Sequence, residues 1–414
     1  MQVYKKRECC ASCTSKNLRN ILDLGIVPLA GNFPKKEELS EVETYPLALQ
    51  FCEDCKLVQT DSVIDPDVLF RDYRYLSSIG LTDYFKGVAV ELDNKYNLSG
   101  KDILEFGCND GVLLKPLVEL GANAIGIDPS INVSKIARDK GLNVITDYFN
   151  IDNFGGDEWE DKFDIIISNN TFAHIIDINS VVKSVKHCLK DGGKFIFEVH
   201  YLKSLIDELQ WDNIYHEHIY YYSVTSLKNM LGKFGLSIID VENRDIHSGS
   251  IRVTAEKSGK VSEKVSEIIE SERDTICDVN YLDIFQKLVN KHIEDFKDEI
   301  KKSKDKGLKI CGYGASGRAN MFCNITNIDD TIIDFIVDES PERCGRYIAN
   351  KNIPIVDVET LKNSEVDLLI IFAWNYSKMI MEKTKYKKYN YMVAFPKIQY
   401  INEYDTEKIK FKSI

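Results

Sequence analysis

Ile103-Leu-Glu-Phe-Gly-Cys-Asn-Asp-Gly111 decides how the rest of the chain is read. An apolar run suited to a buried strand enters a turn holding two glycines, and helical patterning starts near Val112. Gly107 and Gly111 allow the backbone to approach a ligand where a Cβ would collide. About twenty residues later, Ile125-Gly-Ile-Asp128 is a second strand ending in a carboxylate; in a doubly wound sheet that acid lies beside the first loop and takes ribose hydroxyls. A dinucleotide fingerprint would place G-x-G-x-x-G here. Glu105-Phe-Gly-Cys-Asn-Asp-Gly111 lacks it and offers no cradle for a pyrophosphate. The pattern fits an adenosyl group without one, so S-adenosylmethionine is the expected ligand, held by Gly107, Asn109, Gly111 and Asp128. Asn169 and Asn170, after Ser168, close another strand-like run where the ligand's amino-acid end would pass.

Outward from this loop the alternation continues. Asp102–Phe106, Ala124–Asp128, Phe163–Ser168 and Lys194–Val199 read as strands separated by helical stretches, which implies a parallel sheet wrapped by helices. Leu282, Phe285, Val289, His292, Phe296 and Ile300 recur at helical spacing within a Lys/Glu-rich connector, predicting a helix with one buried stripe. A second alternating region follows, with strands expected at Leu308–Gly312, Ile333–Asp338, Leu368–Phe372 and Tyr391–Phe395. Within it Gly312-Tyr-Gly-Ala-Ser-Gly317 is G-x-G-x-x-G between strand and helix, and Asp338 closes the next strand. This half would hold NAD or the diphosphate of a nucleotide-linked substrate, with Arg318 at the helix start meeting a phosphate.

Before the first α/β region lie Cys10-x-x-Cys13 and Cys52-x-x-Cys55. Each tight turn aims two thiolates at one point, and two such turns complete a tetrahedral zinc site with no open position, hence structural. Cys9 is an alternative to Cys10 with a different spacer. Tyr215-His-Glu-His218 concentrates titratable groups differently. Two histidines two apart do not share a helix face, which disfavours zincin chemistry. In an extended segment His216 and His218 would share one face with Glu217 opposed, suiting proton transfer by a neutral imidazole. His174, after the fourth strand-like run, would lie near the reacting methyl.

The chain has 414 residues, 44% hydrophobic and 29% charged, and suits two or three globular domains. Its formal charge of −12 excludes a general attraction for nucleic acid or anionic lipid, but not a local basic pocket. No signal peptide and no run approaching the roughly 20 apolar residues of a membrane span is read, and no protein partner is implied. Cys108, Cys188, Cys311 and Cys323 sit in apolar contexts as free thiols, so the cytoplasm is the expected compartment.

Taken in order, these motifs resemble the zinc-containing sugar C-methyltransferases, which add a branching methyl to nucleotide-linked deoxy-keto sugars. The resemblance runs through Cys10-x-x-Cys13, Leu22-Asp-Leu-Gly-x-x-Pro-Leu-Ala-Gly-Asn-Phe-Pro34, Tyr45-Pro-Leu-x-Leu49 and Cys52-x-x-Cys55-x-Leu-Val-Gln59. It continues in Tyr73-x-Tyr-x-Ser-Ser78, Glu105-x-Gly-x-Asn-Asp-Gly111, Tyr215-His-Glu-His218, Ile246-His-x-Gly-Ser250, Gly312-Tyr-Gly-Ala315 and Ile370–Trp374-Asn375. It implies an α/β chain of a zinc module (1–70), a Rossmann-like methyltransferase domain (71–256), a helical connector (257–306) and a Rossmann-like nucleotide-sugar domain (307–414). It also implies His218 as base, with Tyr215, Glu217 and His174 around the sugar and Tyr75 near the methyl path. Gly314, Arg318 and Asn320 would contact substrate. The chain departs from the family's G-A-P-A-K-G-N at Gly314–Asn320, and from its E-V-P-Y at Glu198-Val-His-Tyr201, which places an extra His200 near the site. Three other readings remain: methylation of a sugar hydroxyl, an NAD-dependent oxidoreductase using the C-terminal glycine loop, and a non-catalytic binding protein.

Overall fold

A computed structural model describes residues 3–70 and 76–401. The N-terminal part contributes β1 (Tyr4–Lys6), β2 (Leu18–Pro28), β3 (Thr44–Cys52), β4 (Val58–Thr60) and β5 (Ser62–Ile64). β2, β3 and β4 form an antiparallel meander, a sheet that the weakly periodic sequence did not announce.

Next come β6 (Asp102–Phe106), β7 (Asn123–Ile127), β8 (Val144–Ile145), β9 (Phe163–Asn169), β10 (Leu189–His200), β11 (Tyr220–Tyr221), β12 (Leu236–Arg244) and β13 (Ser250–Lys257). The central sheet has seven strands in the order β12-β13-β10-β9-β6-β7-β8. Four of its five parallel strands, β6, β7, β9 and β10, are those the alternating pattern predicts, while the two-residue β8 goes unread; the order reverses at β6. The crevice beyond the carboxyl end of β6 is therefore the ligand position of a doubly wound sheet. β13 runs antiparallel between β10 and β12, a pair of strands the sequence reading passed over. Arg252 interrupts the apolar run of β13, yet is 4% exposed because Glu198, directly opposite on β10, accepts from its Nε at 2.8 Å. Tyr84 Oη donates to the other Glu198 oxygen at 2.8 Å, so this buried charge pair is also hydrogen-bonded.

β11 does not join that sheet. It pairs with β4 and completes the N-terminal one, in the order β11-β4-β3-β2. The long helix Val279–Asp305 buries the stripe predicted for the connector. Phe296 meets Phe322 edge-on at 4.7 Å, and Trp211 stacks on the opposite side of that cluster. His292 lies within it as a satisfied core residue, accepting from Trp211 Nε1 and donating to the Ala394 carbonyl.

The last sheet comprises β14 (Ile310–Tyr313), β15 (Ile336–Val337), β16 (Ile355–Val356), β17 (Leu368–Ile371), β18 (Asn390–Val393) and β19 (Gln399–Ile401). Its order is β16-β15-β14-β17-β18-β19, parallel except for β19. The chain is thus α/β with two doubly wound sheets and an N-terminal cysteine-bearing module. Among the described residues no helix is long and apolar enough to cross a membrane.

The segment Leu29–Pro34 fastens the N-terminal part to the C-terminal sheet. Asn320 Nδ2 donates to the carbonyls of Leu29, Ala30 and Asn32 at 3.1–3.2 Å. Arg346 donates to Phe33 O, and the Tyr347 amide to Pro34 O. Asn320, fully buried, is accordingly a clamp between parts of the protein. Asn320→Ala should lower stability by about 1–3 kcal/mol, because buried carbonyls lose their donor. A lower urea midpoint at unchanged m checks this; an unaltered midpoint refutes the clamp.

Candidate active site and metal centre

The two cysteine turns have the same backbone. In the first, Thr14 N–H donates to Cys10 O and Cys10 N–H to Ser15 O. In the second, Lys56 N–H donates to Cys52 O and Cys52 N–H to Leu57 O. Thr14 and Lys56 each take a left-handed φ, +61° and +66°. Cys10 and Cys55 sulfurs lie 3.4 Å apart, Cys13 and Cys52 3.5 Å, and all four within 4.8 Å of one another. Sulfurs at about 2.3 Å from a tetrahedral zinc would be about 3.8 Å apart. Hydrogen bonding to Cys10 and Cys52, with burial, raises the Cys55 thiol far above its ordinary range. The residues fit zinc, with Cys10 rather than Cys9 as ligand. Four protein sulfurs leave no place for a substrate, and the metal is structural.

At the carboxyl end of β6 the loop takes left-handed φ at Gly107 (+71°), Asn109 (+50°) and Gly111 (+79°). A Cβ on Gly107 would strike the Thr171 side chain, and one on Gly111 would strike Leu142. Asp128 accepts from the amides of Asn109 and Ser130, each at 2.9 Å, one per carboxylate oxygen. Burial raises the Asp128 carboxyl and, more strongly, that of Glu105, whose Oε2 is buried and finds no hydrogen-bond partner among the described residues. A buried acid with an idle oxygen beside a strained loop fits a ligand bearing ammonium and sulfonium charge. Asn169 Nδ2 is a buried donor likewise without a partner, and Asn170, at φ +53°, turns the chain toward Thr171.

Tyr215-His-Glu-His218 is a turn rather than an extended segment, closed by His218 N–H on Tyr215 O at 3.0 Å. The turn separates the two histidines. His216 is buried against the N-terminal sheet, its Nε2 on Pro46 O at 3.1 Å, so it does not share a face with His218. Glu217 does not orient His218 either: its Oε1 accepts from Gly31 N–H at 3.2 Å, and its Oε2 is buried with no hydrogen-bond partner among the described residues. The carbonyl of Asn213 performs that task, accepting from His218 Nδ1 at 3.0 Å. Because a carbonyl only accepts, Nδ1 carries the proton and Nε2 the lone pair. Tyr215 Oη lies 2.9 Å from Nε2 and donates to it, with the rings 3.9 Å apart. Burial, then the neighbouring His174, holds the His218 imidazole neutral well below its ordinary range. His174 donates from Nδ1 to Glu217 O at 2.5 Å, its ring 5.0 Å from that of His218, and burial lowers its pKa too. The backbone role of Asn213 has no signature in the sequence.

The C-terminal glycine loop differs from the dinucleotide reading. Gly314 takes φ +92°, where a Cβ would lie 2.7 Å from Ala373 Cβ. Gly317, at the helix start, packs on Ala30, which a Cβ would approach to 3.3 Å. Arg318 is engaged by Asp212 in a bidentate pair, both contacts 2.8 Å, and lies over the Trp374 ring. Its charge is matched within the protein rather than offered to a phosphate, and Asp338 is paired with Arg343 and the Ser340 amide. Tyr75 lies outside the described residues.

The protein should carry about one zinc per chain, and Cys13→Ser or Cys55→Ser should release it and lower the melting temperature, since the binding energy of a structural zinc is folding energy. Metal analysis of the variants reads this directly; an unchanged zinc content would refute the four-sulfur site.

Residues 10–70 match a zinc binding domain, residues 82–241 a methyltransferase domain, and residues 245–396 the C-methyltransferase C-terminal domain. The C-methyltransferase NovU of Streptomyces niveus is 29% identical over 387 residues, covering 91% of this chain and 92% of that protein. A ubiquinone biosynthesis O-methyltransferase of Actinobacillus pleuropneumoniae serotype 7 (strain AP76) is 29% identical over 140 residues, 32% of this chain and 57% of that protein. Among solved structures, the magnesium protoporphyrin IX methyltransferase of Synechocystis PCC 6803 with bound S-adenosylmethionine is 19% identical, with a TM-score of 0.34 over 44% of this chain and 81% of that one. The similarity to the C-methyltransferase runs nearly end to end in both chains, and the three domain matches follow in one order. The chain is an S-adenosylmethionine-dependent methyltransferase with a zinc-binding domain, similar along nearly its whole length to a C-methyltransferase.

Proposed function

We propose that the protein methylates a carbon next to the ketone of a nucleotide-linked deoxysugar, with His218 as the base. The observation that carries this reading is the Tyr215–His218 pair, a neutral imidazole whose Nε2 lone pair accepts from a phenolic hydroxyl. Residues 1–70 would form the zinc module, 71–256 the methyl-transferring domain, 257–306 the connector and 307–414 the part beside the nucleotide.

A carbon beside a ketone is acidic because its anion delocalises onto the oxygen. His218 Nε2 takes that proton, directly or through the Tyr215 hydroxyl, and the C–H electron pair becomes the enolate. In the direct route the Tyr215 hydroxyl turns from Nε2 to the developing oxygen, which opens Nε2 to the carbon-bound proton, and a donor placed for that charge lowers the barrier. Glu217, with an idle buried oxygen, accepts from a sugar hydroxyl, and His174 lines the same wall. Gly107, Asn109, Gly111, Asp128, Asn169 and Asn170 hold S-adenosylmethionine, which supplies an electrophilic methyl when bound. The packing of Gly317 on Ala30 supports this reading over the dinucleotide one, since the helix start that would face a pyrophosphate is covered.

In deuterated water with S-adenosylhomocysteine and a nucleotide-linked keto sugar, the wild type should exchange one carbon-bound proton. His218→Asn should abolish exchange while still binding S-adenosylhomocysteine, and slow methylation by roughly 10²–10⁴-fold. Exchange at the wild-type rate clears His218, and an oxygen-linked methyl in the product replaces the enolate route with hydroxyl methylation.

The lowered pKa of His218 sets the pH profile. Its neutral form persists below the ordinary histidine value of about 6.5, so kcat/KM should stay level as pH falls through 6.5 and drop only under more acidic conditions. A half-maximal point at or above 6.5 that vanishes in His218→Asn would contradict the buried-base assignment.

A further inference from the structure

His200 stands at the carboxyl end of β10, the edge at which ligands of such sheets bind. Its environment fixes which nitrogen carries the proton. Gln210, fully buried, donates its two amide hydrogens to Glu208 Oε2 at 2.8 Å and Ser248 O at 2.7 Å. Its Oε1 is therefore the acceptor for His200 Nε2 at 3.1 Å, which leaves the lone pair on Nδ1. Nδ1 is shielded from solvent and has no hydrogen-bond partner among the described residues. An idle buried acceptor is costly unless a ligand supplies its donor.

The surroundings point the same way. Ser248, which orients Gln210, belongs to a turn in which His247, Ser248 and Gly249 take φ of +52°, +68° and +110° in succession. Strain of this kind persists only where the surrounding structure enforces it, and it gathers at ligand sites. Ser248 Oγ also accepts from Arg318, so the turn joins β10 to the C-terminal domain. Burial and the Arg318 charge push His200 down to about 3. His200 thus stays neutral and keeps its lone pair throughout the neutral range.

We propose that His200 Nδ1 accepts a hydrogen bond from a hydroxyl of the bound sugar and makes the enzyme select substrates carrying that hydroxyl. The inference rests on the substrate class proposed above. A site built around a hydroxyl rejects the analogue lacking it, because its own acceptor is then left unpaired.

The test measures binding of nucleoside-diphosphate hexoses and their singly deoxygenated counterparts to the zinc-loaded protein with S-adenosylhomocysteine present. The wild type should favour the parent over one deoxy counterpart by roughly 10–100-fold. His200→Phe should bring that single ratio near one, leaving ratios at other positions and the S-adenosylhomocysteine affinity unchanged. His200→Asn, whose Oδ1 takes approximately the place of Nδ1, should retain it. Should the Phe variant lose zinc or S-adenosylhomocysteine binding, His200→Leu replaces it in the comparison. A ratio unaltered by Phe or Leu, or lost equally in Asn, overturns the role of His200 while the substrate class stands. Failure of the wild type to bind any member of the panel overturns the substrate class and this inference with it.

Discussion

Ile219 joins the two halves of the chemistry. Its N–H donates to Ala173 O at 2.9 Å, in the segment after β9, and its C=O accepts from Thr60 N–H at 2.9 Å, in the zinc-bearing part. The turn of Tyr215, Glu217 and His218 lies immediately before it. A short irregular turn carrying buried titratable groups has little order of its own, since it makes few internal hydrogen bonds. Here both faces are tied: Gly31 and Pro46 on the N-terminal side, His174 and Asn213 on the other. The four-cysteine cluster is linked to this turn through strand pairing. It fixes the two cysteine turns, these fix β3 and β4, and β4 pairs with β11 just beyond His218.

The same constraint explains the electrostatics. His174, His218, His200 and His247 all have lowered pKa values, because burial disfavours imidazolium and, for His200 and His247, Arg318 adds to it. Asp212 neutralises Arg318 by a two-point contact and also accepts from Trp374 Nε1. A wall of neutral imidazoles supplies proton acceptors without a net charge that would repel a cationic methyl donor. The buried carboxyls of Glu105 and Asp128 lie instead on β6 and just after β7.

What the sequence discloses follows the reach of each interaction. The parallel strands, the β6 loop, both cysteine turns and the buried stripe of the long helix depend on spacing within a few residues, and they were legible. His216, Glu217, Arg318 and Asn320 depend on partners far along the chain: Pro46, Gly31, Asp212 and Leu29–Asn32. No local pattern records those pairings, so residue type suggested chemistry where some of these side chains serve as braces. β13 was missed for a related reason. Arg252 breaks its apolar run, and only Glu198 on another strand makes the arginine compatible with burial.

The C-terminal glycine loop carries this argument one step further. Its local signals are those of a dinucleotide site: strand, tight glycine turn, helix start, and an acid on the next strand. Such a site needs an open mouth, because the pyrophosphate sits on the exposed amides of the helix start. Here Ala30 packs on Gly317, and Asn320, one turn into the helix, holds Leu29, Ala30 and Asn32 in place. The acid Asp338 is matched by Arg343. The features that would grip a cofactor therefore grip the chain's own N-terminal segment, whose next residue, Gly31, donates its amide to Glu217. At the start of this helix a glycine admits the chain's own backbone, and the segment it admits reaches on to the turn that carries His218.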